Sequence, residues 1–319
     1  MTARLIMKMT VASVRPITDT VTVYRFVHPR RPQLPPAAPG AHVDLHLADG
    51  KVRQYSLCGD LGDDTGYEIA VKREDDGRGG SRWIHESLCE GAIVPVSAPR
   101  NNFPLVQGAA HYILIAGGIG ITTMKSMIDD LASHNLSFEL HYCARAARTA
   151  PFLAKLRDVC GPQRLFTYFS EADGGTSDRL DVQKLLSLAP PETHVYCCGP
   201  QRLTQAVGDA ASHWPPGSVH FEHFKATRDE NFVPEPFDVK LASTGEIIRI
   251  PADKSALEVL RARGMVLPAS CELGVCGSCA CRYIEGVVIH RDAVLDITAR
   301  QDQMMLCVSR ARVGVTLDI

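Results

Sequence analysis

A run of cysteines near the C-terminus restricts this chain most: Cys271-Glu-Leu-Gly-Val-Cys276-Gly-Ser-Cys279, then Cys307 with 27 residues between it and Cys279. The spacing C-x4-C-x2-C with one distant cysteine is that of a [2Fe–2S] ligand set. Two irons and two sulfides need four thiolates converging on a compact centre, so a tight loop supplies three and a remote segment the fourth. Gly274, Gly277 and Ser278 are small enough to let backbone N–H groups point at the sulfurs, which stabilises added negative charge and tunes the potential. Zinc is the competing reading. Zinc sites usually join two C-x2–4-C units, whereas here the fourth cysteine stands alone and no histidine completes a second pair. Cys281 is an alternative to Cys279 as ligand, but two residues on along a strand it is expected to pack inward.

The chain has eleven cysteines, an odd number, and its start, MTARLIMKMTV, lacks a signal-peptide core. That argues for reduced thiols or metal ligands over a disulfide framework, and for a soluble cytoplasmic protein. A net charge of −2 offers nothing to nucleic acid. The most apolar stretch, Tyr112 to Met124, carries three glycines and falls short of the about 20 apolar residues a membrane helix needs. With 319 residues, two or three domains are expected.

Three textures succeed one another. Residues 1–105 alternate in short β-branched runs (VTVYRFVHP, AHVDLHLADG, KVRQYSLC, YEIAVKRE, AIVPVSAP) broken by Gly, Pro and Asp, the pattern of a small antiparallel β-barrel. Residues 106–226 alternate strand and helix, from YILIAGG through TTMKSMIDDLASHN to SVHFEHF, the pattern of an α/β domain with a parallel sheet. Residues 227–236 read as a linker. Residues 237–319 open with a hairpin over FDVKLAS and EIIRI. Ser255 and Glu258 then form a capping box for a helix ending at Gly264. Hairpin, capped helix and cysteine loop make an α+β domain.

Two glycine-rich turns suggest phosphate chemistry. Gly117-Gly118-Ile-Gly120-Ile-Thr122-Thr123 follows a buried strand and opens a helix, so its backbone can approach a pyrophosphate and its helix N-terminus adds partial positive charge. Its spacing departs from G-x-G-x-x-G, which disfavours an ordinary dinucleotide-binding dehydrogenase. Cys198-Gly199-Pro200 ends a later parallel strand, and ligands of open α/β sheets sit beyond such carboxyl ends. Arg145 and Arg148 follow a strand that should border the ribose of a dinucleotide bound in this crevice. They are either 2′-phosphate ligands or solvated surface charges, so NADH against NADPH stays open.

In the first domain Arg53-Gln-Tyr55-Ser56 lies on a strand. Arginine can pair with phosphate, tyrosine can cover a flat ring, and serine can hydrogen-bond a ring nitrogen. Gly77-Arg78-Gly79-Gly80-Ser81 precedes a helix, RWIHESL, and makes a second phosphate cradle, with Val71 and Lys72 on the strand before it.

Taken together, R-x-Y-S, GGIGIT and CCGP resemble the ferredoxin-NADP reductase superfamily, and residues 237–319 resemble the plant-type ferredoxin domain, a β-grasp. The order flavin, nucleotide, C-terminal ferredoxin resembles the phthalate dioxygenase reductase and vanillate O-demethylase reductase family across essentially the whole chain, including Pro99-Arg-Asn-Asn-Phe-Pro-Leu105. That resemblance implies the following roles. Arg53 and the Gly79-Gly80-Ser81 turn hold the phosphate of FMN, and a short loop suits FMN better than FAD. Tyr55 packs on the isoalloxazine and Ser56 approaches N5. Gly117, Gly118, Gly120 and Thr122 flank the pyrophosphate, Cys198, Gly199 and Pro200 lie near the nicotinamide, and Phe224 lies near the flavin. The superfamily often has proline where this chain has Thr123. The implied activity is electron transfer from NADH through FMN and [2Fe–2S] to a Rieske-type oxygenase. A cytochrome P450 or another acceptor, or a redox sensor without turnover, are the alternatives.

Overall fold

The computed structural model describes residues 5–48, 50–77, 79–171, 178–224 and 232–319. The linker reading therefore falls partly outside the described residues, as does Arg78. The chain forms two compact units, Met1–Glu222 and His223–Ile319.

The first unit begins with β1 (Ile6–Pro16), β2 (Val21–Val27), β3 (His42–His46), β4 (Val52–Ser56), β5 (Gly66–Lys72), α1 (Gly80–Ser87) and β6 (Ile93–Ser97). The strands pair antiparallel in the order β4-β3-β6-β1-β2-β5. A bridge from Leu57 to Ile69, with the Cys58 amide donating to the Glu68 carbonyl at 3.0 Å, joins the two outer strands and closes the barrel. Five of the strands match the alternating runs. β1, in the middle of the sheet, was not among the runs read from sequence. Its alternation is carried by Met7, Met9 and Val11, which point into the core beside Leu45, Phe26 and Ile69.

Next come β7 (His111–Gly117), α2 (Ile121–Ser133), β8 (Phe138–Ala144), α3 (Leu153–Cys160), β9 (Leu165–Phe169), α4 (Val182–Ser187), β10 (Thr193–Cys198), α5 (Gln201–Ala210) and β11 (Val219–Glu222). The five strands are parallel, in the order β11-β10-β7-β8-β9. The chain reverses its winding between β7 and β10, so their carboxyl ends open the crevice where ligands of such sheets bind. β11 ends at Glu222, two residues before Phe224. The expectation that Phe224 closes this strand is thus corrected: the aromatic follows it and is exposed.

The second unit carries β12 (Phe237–Leu241), β13 (Ile247–Ile250), α6 (Ala256–Ala262), β14 (Ala280–Ile289), β15 (Gln303–Met305) and β16 (Arg310–Leu317) in a mixed sheet ordered β13-β12-β16-β14-β15. β12 and β16 run parallel; the other pairs are antiparallel. α6 starts with the expected box: the Ser255 hydroxyl accepts from the Glu258 amide while the Glu258 carboxylate accepts from the Ser255 amide at 2.8 Å. Its Leu257 and Leu260 fill the core with Phe237, Val239, Ile248 and Met304. Among the described residues no helix is long and apolar enough to cross a membrane.

Candidate functional site

In the second unit the four cysteines converge as two pairs, Cys271 with Cys276 and Cys279 with Cys307. In each pair the partner's hydrogen bond is the largest influence, drawing one thiol (Cys276, Cys279) down and pushing the other (Cys271, Cys307) up. Each pair brings two sulfurs within hydrogen-bond reach of each other, as two ligands of one iron must be. The backbone amides of Leu273 and Val275 aim at the Cys271 sulfur, the first at 3.3 Å, and that of Gly274 aims at Cys307. The loop needs left-handed backbone at Gly274 (φ +75°), where a Cβ would meet Val308 at 2.6 Å. Cys281 lies buried on β14.

Behind this loop is a network that sequence reasoning missed. The Ala293 amide donates to the Gly274 carbonyl at 3.0 Å, and the Asp292 carboxylate accepts from the Leu295 amide at 2.9 Å. Arg300 donates to the Asp292 carbonyl at 2.9 Å, and the His290 ring lies 3.7 Å from the Asp292 carboxylate. No motif announces it, because its members are ordinary polar residues in an irregular segment.

In the barrel, β4 carries Arg53, Gln54, Tyr55 and Ser56. The Gly79–Gly80 turn meets Arg53 so closely that a Cβ on Gly80 would collide with the guanidinium arm, and Gly79 is left-handed (φ +80°). No side chain caps the N-terminus of α1. Guanidinium, glycine turn and uncapped helix end therefore form a cradle fit for a phosphate. The Ser81 hydroxyl does a structural job, accepting from the Glu74 amide at 3.1 Å. Lys72 reaches Glu74 at 2.6 Å, and Val71 turns its side chain into the core with its carbonyl 3.0 Å from the His85 ring. Tyr55 is half-buried, and burial pushes its phenol up, so it stays neutral. The buried Gln54 amide nitrogen finds no protein partner among the described residues, an atom left for a ligand.

At the switch point the two glycine turns touch. A Cβ on Gly117 would meet Pro200 at 2.5 Å and Gly199 at 3.1 Å, and one on Gly120 would meet the Cys198 carbonyl carbon at 2.6 Å. Gly118 has φ +54°. Thr122 turns inward, donating to the Ile119 carbonyl at 2.9 Å. Burial, helped by Glu222, pushes the Cys198 thiol well above its ordinary range, so it is a neutral group. Arg145 is exposed after β8, and Arg148 pairs with Glu171 at 3.7 Å. Barrel and parallel sheet meet here: Ser56 Oγ lies 2.9 Å from Thr123 Oγ1, and the Thr123 hydroxyl also donates to Glu222. Sequence reasoning named Ser56 and Thr123 but neither their contact nor Glu222.

Residues 239–312 match the family model of the 2Fe-2S iron-sulfur cluster binding domain. The phthalate 4,5-dioxygenase oxygenase reductase subunit of Pseudomonas putida is 43% identical over 295 residues, covering 91% of this chain and 90% of that protein. The solved phthalate dioxygenase reductase, described as a modular structure for electron transfer from pyridine nucleotides to [2Fe–2S], is 39% identical with a TM-score of 0.79 and covers 98% of both chains. An intact type IV self-sufficient cytochrome P450 monooxygenase is 36% identical with a TM-score of 0.82, over 98% of this chain and 41% of that one. Two touching glycine turns, an arginine-lined cradle and paired thiols thus sit in a chain that belongs to the phthalate dioxygenase reductase family of flavin and iron–sulfur oxidoreductases.

Proposed function

We propose that the chain is the NADH-dependent reductase component of a Rieske-type oxygenase system, working in the cytoplasm with FMN and a plant-type [2Fe–2S] centre. The four cysteines brought together in a segment that matches the 2Fe-2S iron-sulfur cluster binding domain carry this reading most directly, because two irons and two sulfides need four thiolates on one compact centre. The FMN, when bound, supplies the exchange between two-electron hydride and single electrons.

The chain's own residues do the rest by holding and orienting. Arg53 and the Gly79–Gly80 turn would hold the FMN phosphate, Tyr55 would cover the ring, and Ser56 would set a hydrogen bond at a ring nitrogen. Gly117, Gly118 and Gly120 would admit the pyrophosphate, and Cys198, Gly199 and Pro200 the nicotinamide. Phe224 is assigned beside the flavin by resemblance alone. The Glu171 carboxylate beside Arg148 opposes a 2′-phosphate and supports NADH over NADPH. We divide the chain at residues 1–105, 106–226 and 237–319, with 227–236 as linker.

No acid–base dyad is needed for hydride transfer, so Ser56 positions and does not drive. Ser56→Ala is expected to slow flavin reduction by NADH about tenfold, the weight of one hydrogen bond, without abolishing it. An unchanged stopped-flow rate would remove that role.

The self-sufficient P450 match supports a second reading, a P450 acceptor. Mixing the NADH-reduced chain with purified Rieske-type oxygenase or with a bacterial P450 decides between them. Fast oxidation of the chain by the oxygenase alone supports the proposal; fast oxidation by the P450 alone overturns it. Slow NADH-driven cytochrome c reduction would point instead to a sensor.

A further inference from the structure

Three elements of the first unit bring hydroxyl, hydroxyl and carboxyl into one line. Ser56 ends β4 of the barrel, Thr123 lies in the first turn of α2, and Glu222 ends β11. Thr123 is fully buried and Ser56 nearly so. Thr123 Oγ1 is 2.9 Å from Ser56 Oγ, either atom being able to donate, and it is also hydrogen-bonded to Glu222 Oε2.

Proton counting gives the line a direction. Each hydroxyl owns one proton, and an ionised carboxylate can only accept. When Glu222 is ionised, Thr123 must donate to it and can only accept from Ser56, which spends the Ser56 proton inside the protein. When Glu222 is protonated it can donate to Thr123, Thr123 can donate to Ser56, and the Ser56 proton is released toward a third group.

We propose that Thr123 is a positioning residue that couples the polarity of the Ser56 hydroxyl to the protonation of Glu222, and so lets a remote carboxyl control whether Ser56 donates or accepts on its flavin side. This rests on the assignment of Ser56 to the flavin.

The groups around Glu222 leave it free to act as the controlling proton site. Burial pushes its carboxyl up to about 7, with the Thr123 hydrogen bond opposing. Cys198, its register partner on β10, is a neutral thiol that also hydrogen-bonds Thr123; as a donor it can use the second lone pair of the Thr123 oxygen in either state, which leaves the Thr123 proton for Glu222 or Ser56. Burial pulls His220, two residues earlier on β11, below its ordinary range, with His194 adding to the shift. Burial also lowers His223, next in the chain. On α2, Lys125 and Asp129 pair with each other. Both forms of Glu222 are therefore populated near neutral pH. Below the transition Ser56 donates to the oxidised ring and favours hydride arrival; above it Ser56 turns away.

Stopped-flow reduction of the flavin by NADH across neutral pH tests this on the holoenzyme, with infrared difference spectra of the carboxyl band as a readout independent of turnover. The wild-type rate is expected to fall about tenfold as pH rises through about 7, matching one hydrogen bond. A protonated-carboxyl band absent from Glu222→Gln should titrate over the same range. Glu222→Gln, whose amide can donate to Thr123 and does not titrate, should be fast and flat with pH. Thr123→Val should be flat while keeping the band, and Thr123→Ser should restore the slope. A wild-type profile in Thr123→Val, or no titrating band that Glu222→Gln removes, overturns the coupling. A chain that binds no flavin overturns the functional reading along with it, whereas bound flavin with an unchanged Thr123→Val profile overturns the coupling alone.

Discussion

Cys276→Ser is expected to abolish the visible absorbance of the [2Fe–2S] centre and cut NADH-driven cytochrome c reduction by at least about 100-fold, beyond what a change outside the ligand set does. NADH-dependent reduction of a dye that takes electrons at the flavin should stay near wild type, because the barrel and parallel sheet form a separate compact unit. Cys276 is half-buried and its sulfur is drawn down first by the Cys271 hydrogen bond, so its loss leaves Cys271 without the partner that completes one iron. A serine oxygen is a poor substitute for a soft thiolate. Cys281→Ser is the control. Cys281 is buried on β14, so a hydroxyl there should cost about 1–3 kcal/mol of stability while the cluster remains. Iron and absorbance measurements on both variants check this. A cluster retained in Cys276→Ser, or lost in a folded Cys281→Ser, would contradict the ligand set.

Gly120→Ala should damage the nucleotide crevice more than its single methyl suggests. The new Cβ would meet the Cys198 carbonyl carbon at 2.6 Å and its sulfur at 3.1 Å. The carbonyl is backbone and cannot swing aside, so the methyl must drive the two turns apart. Overpacking of this kind costs about 1–3 kcal/mol. Because the strain sits at the proposed nicotinamide site, we expect the KM for NADH to rise about tenfold or more, a tenfold loss of binding being about 1.4 kcal/mol. The cluster absorbance should not change. Gly118→Ala is the contrast: nothing lies within 4 Å of its Cβ, and only left-handed backbone opposes it, a cost of about 1–2 kcal/mol. Steady-state kinetics with thermal melts separates the two. A wild-type KM in Gly120→Ala would mean the turns do not enclose the nucleotide.

Local chemistry was legible from the amino-acid order, and long-range pairing was not. The cysteine loop, the glycine turns and the capping box each lie within a few consecutive residues, so their spacing alone signalled their geometry. β1 was missed because its inward face is made by two methionines and a valine, with lysine and threonine between, and methionine is not among the residues enriched in strands. Phe224 was set in a strand because the run SVHFEHF keeps its alternation past the point where pairing with β10 stops at Glu222. The Ser56–Thr123–Glu222 line was invisible for a different reason: its links span 67 and 99 residues, and a threonine, a serine and a glutamate have no motif until the fold brings them together. The same holds for Asp292 and Arg300 behind the cluster loop. Cys198 and Gly120, by contrast, each belong to a readable turn, and the open-sheet rule already placed both at one crevice.

The most direct test of the whole electron path is the cofactor content of the purified chain, read together with its response to NADH under anaerobic conditions. Two irons, two acid-labile sulfides and one FMN per chain are expected, with NADH bleaching first the yellow flavin and then the red-brown centre. Zinc in place of iron, or a released chromophore that is not flavin, would contradict it.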